Sequence, residues 1–229
     1  MDFFFNQNIS NSDTEIIISG DDAAHFKSMR INSGEKIGIT NGKGLMAFSA
    51  CSEARKNFYK FKIYSFEENY NERKNRLALA LGNLDNHSRF EFALEKAVEL
   101  GITDFFQLEC DHSQRSHIKT ERLKQKALAA MIQCGRCKLP QIHEPMNIEK
   151  FLQLQVEKFD LFVADINGTN SKFLKPDTDR ALIIGPEGGF SDRELTLIKK
   201  NDNIHLLKLG DRRLRAETAA IVGISLISI

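Results

Sequence analysis

The sequence predicts an α/β protein in which a parallel sheet covered on both faces follows a smaller, β-rich N-terminal part. Three observations lead there. From Arg76 onward, short and fully apolar runs alternate with helical periodicities, the pattern of strands buried between crossover helices. Before residue 72 the runs are strand-like, and Asn41-Gly42 between two of them is a hairpin signal. The chain ends in "TAAIVGISLISI", Thr218 to Ile229, without one charge. That segment falls short of the roughly 20 apolar residues a bilayer span needs. As a helix it is apolar nearly all round, so it is expected to be buried on every side.

Length and composition bound the reading. The 229 residues suffice for one large domain or two ordinary ones. A hydrophobic content of 41% with 28% charged residues fits a folded chain rather than a disordered one. The opening "MDFFFNQNIS" breaks after three phenylalanines and follows no basic segment, so no secretory signal is expected and the cytoplasm is the expected compartment. Net charge is only +1, but the cations cluster. Seven lysines and arginines stand against two acids between Asp111 and Pro140, and Lys208, Arg212, Arg213 and Arg215 stand against Asp211. Such clusters suit contact with a polyanion, or simply a solvated helix face.

The first strands are expected at Phe3 to Phe5, "TEIIISG", "EKIGITNGKGLMAFSACSE" and "NFYKFKIYSFEE", with a short helix in "DDAAHFKSMR". His25 in that helix reads as a packed or capping histidine. Polar "ENYNERKN" marks a boundary between domains 1–71 and 72–229. Strand "RLALALGNL" then leads to helix "SRFEFALEKAVELG", where Ser88 and Glu91 have capping-box spacing and Gly101 stops the helix. Further along come strand "DFFQLEC", helices "TERLKQKALAAMIQCG" and "NIEKFLQLQVEK", and strands "FDLFVADI" and "RALIIG". Helix "SDRELTLIKKN", strand "IHLLKLG" and the terminal helix complete the order.

Two strand ends carry the chemistry. In "ALIIGPEGGFSDREL", Gly185, Gly188 and Gly189 form a turn ahead of a helix capped by Ser191 and Glu194. Ligands of open α/β sheets bind outside the carboxyl ends of strands, where glycines let backbone approach closely. The spacing matches neither a dinucleotide fingerprint nor a Walker loop. A tight turn before a capped helix is the structural alternative. In "LKLGDRRLRAET", Arg212, Arg213 and Arg215 crowd the mouth of the last helix, against its dipole. They suit an anionic substrate or developing negative charge, or ion pairs with Glu187 and Glu217. Cys134 and Cys137 form a C-x-x-C that could join Cys110 and His112 around zinc, but the pair ends a helix rather than starting one, and no metal is expected.

Together the two glycine loops and the apolar terminal helix resemble the SPOUT superfamily of methyltransferases. "LIIGPEGGFSDREL" and "LGDRRLRAETAAI" look like the paired signatures of the family that methylates N3 of uridine in ribosomal small-subunit (16S) RNA. "RFEFALEKAVELGI" and "HFKSMRINSGEKI" are similar to that family's corresponding segments, so the resemblance spans essentially the whole chain. It implies a deep trefoil knot in the C-terminal sheet, a small PUA-like β-barrel that binds RNA, and a homodimer acting on the small ribosomal subunit, with no membrane and no metal. It implies S-adenosylmethionine held by Gly185, Pro186, Glu187, Gly188, Gly189, Leu209, Gly210 and Leu214, with Ala164 and Asp165 completing the adenine pocket. The resemblance further implies that Lys96, Arg115, Arg136 and Arg212 would touch RNA. Arg215 would stabilise charge on the uracil, with Glu217 orienting Arg215 in preference to accepting the proton itself, since no residue reads as a tuned base. His112 and Ile132 depart from charged residues common in relatives, and Asp211 puts an acid in the cofactor loop. The competing readings are a ribose 2′-O-methyltransferase of the same superfamily and a non-catalytic RNA-binding or assembly protein.

Overall fold

In the computed structural model the chain divides into two compact units, Met1–Glu72 with Met131–Leu139, and Arg73–Ala130 with Pro140–Ile229. The structure describes all residues except 21, 22, 24, 25, 27, 28, 114–117, 170–176, 202 and 229. His25 and Arg115 therefore lie outside the described residues. The sequence carries no sign that Met131–Leu139 returns to the first unit.

The first unit is a five-stranded sheet of β1 (Asp2–Phe5), β2 (Glu15–Ser19), β3 (Lys36–Thr40), β4 (Leu45–Arg55) and β5 (Phe58–Glu68), in the order β1-β3-β4-β5-β2. Its pairs are antiparallel except β1 with β3. Register shifts in the long β4–β5 pair, at Phe48/Ser49 and Cys51/Glu53, bend these strands. Phe4, Ile16, Ile37, Ile39 and Phe61 fill the core, and Phe4 stacks on Phe26 at 4.1 Å between centroids. The β3–β4 hairpin exists, but not as a two-residue Asn-Gly turn. The positive φ values fall on Gly42 and Gly44, while the Asn41 side chain folds back to accept from Lys43 N and Leu45 N.

Arg136 corrects an expectation. It is 3% exposed, and its Nε and Nη2 bind the Glu72 carboxylate at distances down to 2.7 Å. A guanidinium so enclosed has no surface for RNA. Glu72 Oε1 also accepts from Cys137 N and Lys138 N, so the buried pair fixes the backbone of the returning segment.

The second unit is a parallel sheet in the order β12-β10-β11-β6-β7-β8, with β9 also on β7. Its elements are β6 (Leu77–Gly82), α1 (His87–Glu99), β7 (Asp104–Glu109), α2 (Thr120–Gln133, whose residues from Met131 onward fall in the first unit), β8 (Gln141–Ile142), β9 (Met146–Asn147) and α3 (Ile148–Gln155). Then follow β10 (Asp160–Thr169), β11 (Arg180–Ile184), α4 (Asp192–Lys199), β12 (Ile204–Leu207) and α5 (Ala216–Ile227). Every residue of β6 is buried, because helices cover both of its faces. Ala78, Ala80, Phe106, Val163 and Ile183 meet Ile148 and Phe151 of α3 and Ile198 of α4 on one face. On the other, Phe90 of α1 lies edge-on to Phe105 at 5.4 Å, and α5 packs on α1, β11 and β6. Each fully buried Leu or Phe contributes about 2 kcal/mol by leaving water.

The cap of α1 differs from its sequence signal. Asn86, not Ser88, is the N-cap, accepting from Ser88 N and Arg89 N. Glu91 is buried and pairs with Arg122 of α2, so tertiary pairing overrides the capping-box spacing. The box at Ser191 and Glu194 forms as expected.

The terminal helix is buried on one face, not all round. Ala216, Ala219, Ala220, Gly223, Ile224 and Ile227 are enclosed, Ile221, Val222 and Leu226 are half-buried, and Thr218 and Ser225 are exposed. Gly223 permits this seat: a Cβ there would lie 2.6 Å from Leu182 Cδ2. Its C-terminal carbonyls are bound by cations, Arg180 Nη1 donating to Ile227 O at 2.7 Å and Arg73 Nη2 to Ser228 O at 3.3 Å.

At the amino ends of the strands, Asp104 is 2% exposed. Burial opposes its ionisation, but His143, Arg76 and Thr103, at 2.9, 2.7 and 2.8 Å, outweigh that and hold it at about 2. A depressed carboxyl stabilises the folded state above its unfolded value and ceases to do so as pH falls through the folded one. The urea-unfolding gap between wild type and Asp104→Asn should be at least about 2 kcal/mol near pH 6, narrow below pH 4 and close near pH 2. A pH-independent gap would show that the charge is not what matters.

Candidate active site

A cavity of about 710 Å³ opens at the carboxyl ends of β10 and β11, against the start of α5. Three stretches wall it: residues 164–167, 184–190 and 213–217 with Ala219, and Arg89 of α1 also lines it. A smaller cavity of about 270 Å³ shares Ala164, Asp165 and Leu214 with it and adds Leu209, Gly210 and Arg212. The chain gathers here for a topological reason. After β6 it builds outward through β7, then reverses to lay β11 and β10 on the other side, which leaves a crevice at the strand ends.

The glycine loop is held from outside. Glu194, fully buried, accepts from Ser191 N at 2.8 Å with one oxygen and from Asp111 N at 2.9 Å with the other. The Asp111 carboxylate in turn accepts from Ser191 Oγ and from Arg193 Nη2 at 2.7 Å. Hydrogen bonds from Arg193 and then Ser191 hold it below the usual carboxylate range. His112 Nδ1 lies 3.2 Å from Gly188 O. The loop after β7 thereby splints the loop after β11.

These contacts add to the reason for the glycines. Expected as places for a ligand to approach, they are also required by the protein's own packing and turn geometry. A Cβ on Gly188 would lie 2.9 Å from His112 Cβ, one on Gly185 would press on the Phe190 ring at 3.2 Å, and Gly189 has φ +73 in a turn closed by its N–H to Pro186 O.

Arg215 is the N-cap of α5, exposed and making no side-chain cap bond. Arg213 Nη2 donates to Glu187 O at 3.3 Å. Glu217 does not hold Arg215. Its ion-pair partner is Arg89, at 3.8 Å, and among the described residues its oxygens accept no hydrogen bond. By contrast Asp165 Oδ1 accepts from Asn167 N and Glu187 Oε2 from Asp85 N. Asp211 now has an account: it is an exposed partner of Lys208 at 2.7 Å, and that hydrogen bond lowers its titration.

Of the residues expected at the site, Ala164, Asp165, Gly185, Pro186, Glu187, Gly188, Gly189, Leu214, Arg215 and Glu217 share the larger cavity, and Leu209, Gly210 and Arg212 the smaller. Lys96 is elsewhere, in the last turn of α1, neutralised by Glu99 at 2.7 Å and Glu95 at 3.0 Å. Arg136 belongs to the first unit. Cys110 and Cys137 are thiols that burial pushes up to about 12 and about 11, and no group suited to a metal occurs among the described residues.

Sequence reasoning missed Arg89 and the bulge at 165–168. Arg89 carried a signal, a cation in the first turn of a helix, against its dipole. The bulge appears as a register shift in which Ala164 and Thr169 both pair with Leu207. Its sequence mark is "DING", where Gly168 sits with its Cβ position 2.6 Å from Leu206 O.

Residues 71–228 match the RNA methyltransferase domain family. The ribosomal RNA small subunit methyltransferase E of Mesomycoplasma hyopneumoniae (strain 232) is 34% identical over 172 residues, covering 72% of this chain and 74% of that one. Its counterpart in Buchnera aphidicola subsp. Acyrthosiphon pisum is 28% identical over 216 residues, covering 90% and 84%. Among solved structures, a probable rRNA-methyltransferase from Porphyromonas gingivalis superposes with TM-score 0.84 at 27% identity, over 99% of this chain and 97% of that one. A Legionella pneumophila protein solved in complex with the cofactor S-adenosylmethionine superposes with TM-score 0.82 at 26% identity, over 98% and 96%. The chain belongs to the RNA methyltransferase domain family and, within it, to the ribosomal RNA small subunit methyltransferase E group.

Gly188→Ala should weaken S-adenosylmethionine binding at least about tenfold by calorimetry, since the new Cβ meets a Cβ that cannot rotate away. Adding His112→Gly should restore most of the loss. Failure of that rescue would refute the steric account of Gly188.

Proposed function

We propose that this chain methylates N3 of a uridine in 16S ribosomal RNA of the small subunit, using S-adenosylmethionine bound in the cavity between the glycine loop and α5. The cavity is the observation that carries the reading. Ile184, Phe190, Leu214 and Ala219 give it an apolar wall suited to an adenine, and Asp165, Glu187 and Glu217 supply acids suited to a sulfonium and an α-ammonium. Gly185 to Gly189, Leu209, Gly210, Leu214, Ala164 and Asp165 are the residues that would hold the cofactor.

When bound, the cofactor supplies an electrophilic methyl group. The chain's own residues must make the uracil nucleophilic. N3 is an imide that attacks only after losing its proton, and the negative charge then spreads to the two carbonyl oxygens. Arg215, exposed at the helix mouth, stabilises that charge. Glu217, drawn toward Arg89 and accepting no hydrogen bond among the described residues, is the carboxylate suited to take the proton. Arg212 and, outside the described residues, Arg115 would meet the RNA. Lys96 would do so only after leaving its two glutamates.

The same reading includes the PUA-like character of the first unit, the deep trefoil knot, a cytoplasmic homodimer and a metal-free reaction. The half-buried Ile221, Val222 and Leu226 on α5, with Phe92 44% exposed on its neighbour α1, support a face that a second copy covers. No helix among the described residues is long and apolar enough to cross a membrane.

Arg215→Ala should leave cofactor affinity within about threefold while slowing methyl transfer about 10²- to 10³-fold. Mass spectrometry of nucleosides from methylated small-subunit RNA should find 3-methyluridine. A 2′-O-methyl nucleoside instead would move the chain to the ribose class, and absence of any product would leave an RNA-binding protein.

A further inference from the structure

The first unit holds a polar depression of about 680 Å³ that belongs to none of the site above. Ser10, Asn11, Ser12, Asn41 and Asn69 line it, with Lys43 and Lys138 at its side and Glu68 as its one acid. Lys43 and Lys138 are partners in an isolated antiparallel bridge. Directly opposed residues of such a bridge project to the same side, and like charges there repel. Both lysines are exposed, and neither has a carboxylate partner among the described residues.

The scaffold enforces this unfavourable pairing. Gly44 N donates to Cys137 O and Leu139 N to Gly42 O, both at 2.9 Å, locking the two segments together. Thr40 Oγ1 donates to Cys137 O and accepts from Gly42 N. From beneath, Glu72 takes the N–H groups of Cys137 and Lys138 at 2.9 and 2.7 Å, and Arg136 holds Glu72 in place. Gly44, at φ +111, leaves its Cβ space to the Lys138 stem, whose Cε lies 2.9 Å from that position. The two lysines are therefore mounted side by side on fixed backbone, at the edge of a polar depression that holds a single acid, an arrangement that suits an anion.

We propose that Lys43 and Lys138, with the amides and hydroxyls of the depression, form a phosphate-binding subsite that grips the RNA backbone away from the methylated base. The assignment of RNA as substrate rests on the function proposed above. The buried Glu72–Arg136 pair then acts on the subsite at one remove, by holding the Lys138 backbone. One contact of this kind per lysine implies release of one or two counterions.

The test is Lys43→Gln with Lys138→Gln in the full chain, both exposed sites that should fold normally. Affinity for an in vitro transcript of small-subunit rRNA, measured from 50 to 300 mM KCl, should fall about tenfold at the lowest salt, and the slope of log K against log salt should lessen by about one to two. Cofactor affinity by calorimetry should not change. An unaltered slope overturns the proposal. Inorganic phosphate alone, titrated while the amide resonances of residues 43 and 138 are followed, separates the sources. Saturation by phosphate with no change in the RNA slope would make this a small-anion site and overturn it as well. If wild type yields no 3-methyluridine yet the slope still lessens in the variant, the reaction assignment fails and the subsite stands.

Discussion

The seating of the terminal helix on the parallel sheet is the constraint on which the site depends. Gly223 brings α5 against Leu182 of β11, and Arg180, buried beneath, takes the carbonyl of Ile227 at the far end. With one face of the helix packed and its C-terminus bound by cations, its N-terminus can project only toward the strand ends. Arg215 and Glu217 ride on that first turn, so their position is set by packing further along the helix, at Gly223 and Ile227. The same seat makes Leu209 to Leu214 a wall of the cavity rather than a loose approach to a helix. Burial of the helix's apolar face, about 2 kcal/mol for each large side chain, dominates over any single polar contact there.

Buried charge organises what apolar burial leaves undetermined. Glu194 satisfies two backbone N–H groups from two different loops, and Glu72 satisfies two more while bound to Arg136. Taking such carboxylates out of water costs several kcal/mol unless each oxygen is met. These pairs therefore add little net stability. Their consequence is specific: each allows one arrangement of the loops it joins, the glycine loop with the loop after β7 in one case and the twin-lysine bridge in the other.

Local rules read well where a local cause operates. The capping box at Ser191 and Glu194 needs only four consecutive residues in helical register, and it forms. Continuous apolar runs marked β6, β7, β10 and β11, because a strand covered on both faces has no polar side to show. The same spacing at Ser88 and Glu91 misled, since Arg122, distant in sequence, competes for the carboxylate and wins. Arg136 misled in the opposite sense. A cation beside a basic run looks solvent-facing until Glu72, within the linker segment, encloses it. Asn41-Gly42 announced a hairpin correctly, but the number of residues in the turn was decided by where the Asn41 side chain found its donors.

By itself the sequence determined the order of the longer strands and helices from β6 onward, the two glycine loops at strand ends and the cations at the last helix, because periodicity, turn chemistry and charge are carried by neighbouring residues; the two-residue strands β8 and β9 left no such pattern. Tertiary structure alone decided which glycine answers to which neighbour, that Glu217 faces Arg89 and not Arg215, and that residues 131–139 belong with the first unit. Those outcomes are contests between partners far apart in the chain, and they are settled by distance and desolvation, which no local pattern encodes.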